Sequence, residues 1–151
     1  MAYFKTMTTE TVDKGKKNAV IMGRKTWESI PAKYRPLEGR LNIILSKSMK
    51  ILCSQRTKGC AILCDSLQEG LSKLADNSRS IESVWVIGGS SLYEECIVSP
   101  LCHRVYLTEI KKKFECDVFF PDIPENFHLV KWVPNLFIQF HIHLSIEIKF
   151  I

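Results

Sequence analysis

Three short apolar runs punctuate the first two-thirds of the chain: AVIM at 19–22, LNIIL at 41–45 and SVWVI at 83–87. Each is rich in Val or Ile and is bounded by Gly, Ser or Lys. Continuous rather than alternating apolarity predicts strands buried on both faces, as in a parallel sheet. Between the second and third runs, Leu67, Leu71, Leu74 and Ala75 recur at helical spacing and predict a helix over 65–77. Asp65 or Ser66 can cap it, and Ser66 with Glu69 has the spacing of a capping box. A second such pair, Ser91 and Glu94, predicts a helix over 91–98 directly after Gly88-Gly89. A shorter helix, TWESI, would start at Thr26 as its cap and stop at Pro31. Strands alternating with helices predict an α/β sandwich with right-handed crossovers. Further on, RVYLTEI (104–110) and FHLVKWV (127–133) alternate and predict antiparallel strands.

The tail follows a different rule. From Ile138 to Phe150 every even position is apolar and every odd one polar: Ile138, Phe140, Ile142, Leu144, Ile146, Ile148 and Phe150. Usual strands run about 5–6 residues, so this pattern is unusually long. No Gly, Pro or Asn interrupts it, and an unprotected strand of this kind predicts aggregation.

Length and composition narrow the class. The 151 residues suit one domain, spanning 1–151, at roughly 150 residues per domain. Apolar residues make up 46% and charged residues 25%, a mixture that excludes disorder and fibrous classes for the chain as a whole. No apolar run reaches the roughly 18 residues of a membrane span, so no membrane partner is expected. The opening MAYFKTMTTE lacks the core of a secretory signal, which predicts a cytoplasmic protein, monomeric once folded. Cys53, Cys60, Cys64, Cys96, Cys102 and Cys116 contain no C-x-x-C pair and are expected as reduced thiols. Cys102-His103 has half the ligands of a zinc site and no second pair at ligand spacing, so no metal is expected.

Charge adds a clue to the partner. Residues 1–60 hold 13 Lys and Arg against 4 Asp and Glu, whereas residues 61–151 hold 8 against 12. A net +9 half suggests an anionic partner: a compact phosphate ligand, a nucleic acid such as RNA, or only solvent around a basic face. Three predicted strand ends carry phosphate-friendly chemistry. The first runs into Gly23-Arg24-Lys25-Thr26, placing two cations at a helix start. The second ends in Leu45-Ser46-Lys47-Ser48, and the third in Gly88-Gly89-Ser90-Ser91, where glycines allow close backbone approach. Neither the Walker spacing nor G-x-G-x-x-G is present. Ligands collect at the carboxyl ends of parallel strands, so three such ends together favour a nucleotide carrying several phosphates.

The segments VIMGRKTWESIPAKYRPLEGRLNIILS, VWVIGGSSLYEE and ECDVFFPDI resemble the dihydrofolate reductase family over about residues 3–133, with 134–151 a divergent tail. The resemblance implies a three-layer α/β sandwich, a mixed sheet with flanking helices. It also implies NADPH as hydride donor and reduction of dihydrofolate to tetrahydrofolate, with folate and antifolates as ligands. Carried over by motif, Arg24, Lys25 and Thr26 would meet the cofactor's phosphates. Leu45, Ser46 and Lys47 would lie near its 2′-phosphate, and Gly88, Gly89, Ser90 and Ser91 would cradle the pyrophosphate. Leu92 would lie near the adenine and Tyr93 near the nicotinamide. Phe4, Ile30, Pro31 and Leu37 would line the folate pocket, and Arg40 would pair with the substrate's glutamate carboxylate. Ile87 would offer its carbonyl to the pterin, and Thr108 would bond the pterin's polar edge.

The departures carry their own expectations. Family members begin with a strand, a loop over the nicotinamide and a helix bearing the carboxylate that binds the pterin; by the resemblance this chain starts inside that helix, and Met1 falls just after the carboxylate's place. The sheet is therefore expected to lack its first strand and to show a gap, and no catalytic residue is assigned. Glu10 and Glu28 are the nearest acids in sequence, and neither matches. Asp65 stands where some relatives carry Arg near the 2′-phosphate. A binding-only fragment for nucleotide or RNA is the alternative function.

Overall fold

The computed structural model describes residues 2–48, 61–76, 79–107 and 115–129, and the backbone of 145–148. The first half contains helix α1 (Ala2–Thr9), strand β1 (Lys17–Gly23), helix α2 (Arg24–Ser29), a 3-10 turn at Ala32–Tyr34 and strand β2 (Arg40–Leu45). Strand β3 (Ala61–Cys64), helix α3 (Leu67–Asp76), strand β4 (Ile81–Val86) and helix α4 (Ser90–Ile97) follow. Strands β5 (Cys102–Tyr106) and β6 (Ser145–Ile148) complete one six-stranded sheet in the order β3-β2-β1-β4-β6-β5.

The three apolar runs form its centre. β1 lies parallel to both β2 and β4, with Val20 opposite Asn42 on one side and Trp85 on the other. Ala19, Val20, Ile21 and Met22 are all fully buried, which is what a strand covered on both faces requires. Successive side chains point to opposite faces and sort the core into two layers. Ala19, Ile21, Ile43, Val84 and Val86 meet α3 and α4 through Leu67, Leu71, Leu74, Leu92, Cys96 and Ile97. Val20, Met22, Ile44 and Trp85 face the other way, towards Trp27 of α2 and Met7 of α1. A three-layer sandwich results. At Gly70 of α3 an added Cβ would lie 3.3 Å from Ile43 Cγ2, so the helix packs close to the sheet.

β6 alters the expected plan. Its backbone pairs antiparallel with β4, Trp85 opposite Glu147, and antiparallel with β5, Val105 opposite Ile146. The expected gap is thus filled, because part of the alternating tail stands between β4 and β5. For Ser145–Ile148 the expectation of an unprotected strand is also corrected, since its backbone is paired on both sides. The rest of the predicted strand over 138–150 lies outside the described residues, as does 130–133 of FHLVKWV, whose described part, 127–129, is not a strand.

Two helix starts differ from expectation. The Ser66–Glu69 pair does cap α3: the Glu69 amide donates to Ser66 Oγ (3.2 Å), but the Glu69 carboxylate reaches the amide of Asp65 (2.7 Å) rather than that of Ser66. α4 starts at Ser90 behind an N-cap Gly89, with no side-chain cap, so the Ser91–Glu94 box does not form. A box needs its Ser at the cap, and Ser91 falls inside the first turn.

One exposed carboxylate fixes the approach to β1. Glu82 accepts hydrogen bonds from the amides of Val12 (2.9 Å) and Asp13 (2.8 Å). Those bonds, the Asp13 amide first, hold its carboxyl below the usual range. A depressed folded value means stabilisation that is complete above the unfolded value of about 4.3 and is lost as pH falls through the folded one. Glu82→Gln should flatten the acid limb of melting temperature against pH. Parallel curves for the two proteins would show that the clamp contributes nothing.

Candidate functional site

The carboxyl ends of β1, β2, β3 and β4 lie on one side of the sheet and open into a cavity of about 690 Å³. From β1 and α2 come Gly23, Arg24, Lys25 and Thr26; the end of β2 supplies Leu45, Ser46, Lys47 and Ser48. The β3–α3 junction brings Asp65, Ser66 and Leu67, and the first turn of α4 brings Gly89, Ser90, Ser91, Leu92 and Glu95. Val118 closes one side. Ten of the twelve sequence-predicted cofactor residues therefore meet in one space. Gly88 and Tyr93 stand outside its lining. The Tyr93 ring is buried against Phe120 at 5.4 Å, and that burial pushes its phenol well above the ordinary range.

The local backbone explains the glycines. Gly88 has φ +118°, a region that side chains rarely enter, and an added Cβ would sit 3.2 Å from Thr26 Oγ1. Its carbonyl accepts the Gly23 amide (2.8 Å), which ties the end of β4 to the start of α2. Gly88→Ala is expected to cost about 1–3 kcal/mol of stability, measured by urea unfolding. A loss below about 0.5 kcal/mol, the range of an ordinary surface substitution, would contradict the strain. Thr26 is not the cap of α2: Gly23 holds that position, Thr26 sits one turn in, and its carbonyl accepts Ser29 Oγ (2.7 Å). The Leu92 amide donates to the Gly89 carbonyl (3.1 Å), and without a side-chain cap the Ser90 and Ser91 amides remain available to an acceptor.

The cavity's charges are mixed. Arg24, Lys25 and Lys47 face Asp65 and Glu95. Arg24 is half-exposed and its guanidinium lies 2.9 Å from the Glu28 carboxylate one turn along α2. Such an exposed pair is worth little, about 0.3–0.5 kcal/mol, and an anionic ligand can compete for it.

The opposite face of the sheet carries a second apolar cluster. Ile30, Leu37 and Ile87 pack on Val20, Met22, Trp27, Ile44 and Trp85. Phe4 of α1 lies 5.9 Å from the Arg40 guanidinium. Arg40 donates to Thr8 Oγ1 (2.6 Å) and to the Glu38 carbonyl (3.2 Å), and burial lowers its pKa from the ordinary value. It has no acidic partner among the described residues, which leaves a half-buried cation suited to a carboxylate. Pro31 is exposed at the head of the 3-10 turn, and Thr108 lies outside the described residues. Trp85 Nε1 is buried without a partner among the described residues.

Sequence reasoning flagged Ser48 at a strand end but missed Ser66, Glu95 and Val118 in the cavity, and Asn42 beneath the apolar cluster. Asn42 was the findable one. It is a polar residue inside the run LNIIL, and a buried amide in a strand must have partners. Here it accepts the Leu37 amide (2.9 Å) and donates to the carbonyls of Leu37 (3.0 Å) and Arg40 (2.8 Å). Among the described residues no cluster of potential metal ligands occurs, and no helix is long and apolar enough to cross a membrane. Cys64, Cys96, Cys102 and Cys116 are unbridged.

Fold and cavity define an α/β protein with a cavity at the carboxyl ends of its parallel strands, the place where such sheets collect ligands. Comparison with known proteins specifies the class further. The family profile for dihydrofolate reductase matches residues 1–134. A dihydrofolate reductase of Aedes albopictus is 47% identical over 133 residues, covering 87% of this chain and 70% of that protein. One from Bos taurus is 40% identical over 151 residues, covering 98% of this chain and 79% of that protein. The solved structure of Schistosoma mansoni dihydrofolate reductase superposes with a TM-score of 0.71 at 27% identity, covering 99% of this chain and 84% of that one. The chain belongs to the dihydrofolate reductase family, a family of oxidoreductases.

Proposed function

We propose that this chain holds NADPH in the strand-end cavity and dihydrofolate against the partly buried apolar side chains of the opposite face, and that it catalyses reduction of the latter to tetrahydrofolate. The observation that carries the reading is the convergence of Arg24, Lys25, Thr26, Ser46, Lys47 and Gly89–Leu92 on a single cavity. Its volume falls within the roughly 300–1,000 Å³ of ligand sites. When bound, the nicotinamide supplies the hydride. Arg24, Lys25 and Thr26 meet phosphate oxygens, the first-turn amides of α4 face the pyrophosphate, and Ser46 and Lys47 meet the 2′-phosphate. On the other face, Arg40 pairs with the glutamate carboxylate while Phe4, Ile30, Pro31 and Leu37 exclude water from the pterin and benzoyl rings. Ile87 and Thr108 take the pterin's polar edge. Because three cations of the basic half face this cavity, a compact phosphate ligand is favoured over RNA. We also propose that the chain works as a cytoplasmic monomer.

Reduction also needs a proton at the pterin nitrogen. Glu10 and Glu28 are exposed, and Glu28 is bonded to Arg24, so neither serves as that acid. Without a general acid a reaction of this kind slows by about 10²–10⁴-fold, and the 151-residue polypeptide assayed by itself is expected to be slow to that degree. The assay follows the NADPH absorbance band with purified chain and dihydrofolate. Turnover equal to that of the Bos taurus relative would contradict the impairment. No turnover even with that relative's corresponding upstream segment joined on would contradict the assignment of activity.

A further inference from the structure

The strand-end cavity is lined from two sides of the sheet, by the β4–α4 junction and by the ends of β2 and β3. On one side stands the uncapped first turn of α4, Ser90 and Ser91 behind Gly89. On the other, Lys47 and Ser48 from β2 face Asp65 and Ser66 from the β3–α3 junction. On the nucleotide reading, a dinucleotide whose diphosphate met the amides of α4 would place its adenosine ribose at that second wall. Lys47 there would welcome a phosphate, but Asp65 is a carboxylate in the same wall. Its backbone amide is committed to Glu69 (2.7 Å), whereas its side chain is exposed and has no hydrogen-bond or ion-pair partner among the described residues.

A carboxylate at a ribose discriminates by chemistry. It accepts a hydrogen bond from a 2′-hydroxyl, and it repels a 2′-phosphate carrying roughly −1.5 to −2 charge. The cavity adds a second carboxylate to the first, because Glu95 lies in the same lining. We infer that Asp65 is a specificity-determining residue that makes this cavity accept NADH nearly as well as NADPH. The inference rests on the nucleotide reading above.

The test measures binding without hydride transfer. The whole chain is titrated calorimetrically with ADP-ribose and with 2′-phospho-ADP-ribose, as wild type, Asp65→Asn and Asp65→Arg. Both variants keep the backbone amide that Glu69 accepts from, and circular dichroism checks their fold. For the wild type the two affinities should differ by less than about tenfold. Asp65→Asn should tighten the phosphorylated ligand about tenfold and weaken ADP-ribose a few-fold. Asp65→Arg should open the ratio to about 100-fold in favour of the phosphate, a gap that shrinks as salt is raised. A wild type that already prefers the phosphate by about 100-fold, or a ratio that neither variant moves, overturns the inference and leaves nucleotide binding intact. A folded wild type that binds neither ligand overturns the nucleotide reading, and the inference falls with it.

Discussion

Removal of residues 145–151 is expected to abolish cooperative folding. β6 occupies an interior place in the sheet, so its loss strips hydrogen-bond partners from two strands at once. On the β4 side the pairs are Val84 with Ile148, Trp85 with Glu147 and Val86 with Ile146. Val84 and Val86 are fully buried and Trp85 is nearly so, and their backbone groups would face a void or admit water into the core. Each unsatisfied buried group costs about 1–3 kcal/mol. Several of them together rival the whole stability of a domain, about 5–15 kcal/mol. Truncation after Leu144 should therefore give a chain without a sharp melt and with exposed apolar surface, read by circular dichroism and dye binding. A truncated chain that melts cooperatively within a few degrees of the full one would show that β6 is dispensable.

Asn42→Ala should separate the two ligand sites. Its amide group makes three hydrogen bonds to the segment that carries Leu37 and Arg40, and it is almost wholly buried. Removing it leaves the Leu37 amide and two carbonyls without these partners, at about 3 kcal/mol of stability. It also frees the loop that aims Arg40, so folate affinity should fall at least tenfold in equilibrium titration. Nucleotide affinity should change less than twofold, because Asn42 is not among the residues that line the strand-end cavity. Equal losses for both ligands would mean that Asn42 supports only the fold as a whole.

How much could be seen in the sequence follows from what each residue had to satisfy. β1, β2 and β4 were legible because they are covered on both faces, a demand that leaves few polar positions in their centres, such as the buried Asn42 and Ser83. α3 was legible from Leu67, Leu71 and Leu74, all of which meet the sheet. β3 was not: it has four residues, three of them half-buried, at the edge of the sheet. α1 was not legible from periodicity, since Phe4 and Met7 give too thin a stripe; only the resemblance, which starts the chain inside a helix, implied it. Within the tail, Ser145–Ile148 was legible as strand from its period, but only pairing partners distant in sequence could place it between β4 and β5. At the site, strand-end glycines and cations were visible as residue types. The mistaken caps at Thr26 and Ser91 came from helices that start earlier than their hydroxyls, behind Gly23 and Gly89. Glu95 could not be assigned to the cavity because its neighbour Glu94, of the same type, lies one position away on another face.

The central claim is that the strand-end cavity recognises NADPH through its phosphates, and a thermal melt tests it most directly. A ligand at 100 times its dissociation constant stabilises the native state by about 2.7 kcal/mol, or roughly 5–10 °C for a chain of this size. Wild-type chain with NADPH should show a shift of that order, and folate or an antifolate a smaller one. Arg24→Glu, which puts a negative charge at the cavity wall, should abolish the NADPH shift, and Arg40→Ala should leave it unchanged. A folded wild type whose melting temperature NADPH does not move, or a full shift that survives in Arg24→Glu, would contradict the account.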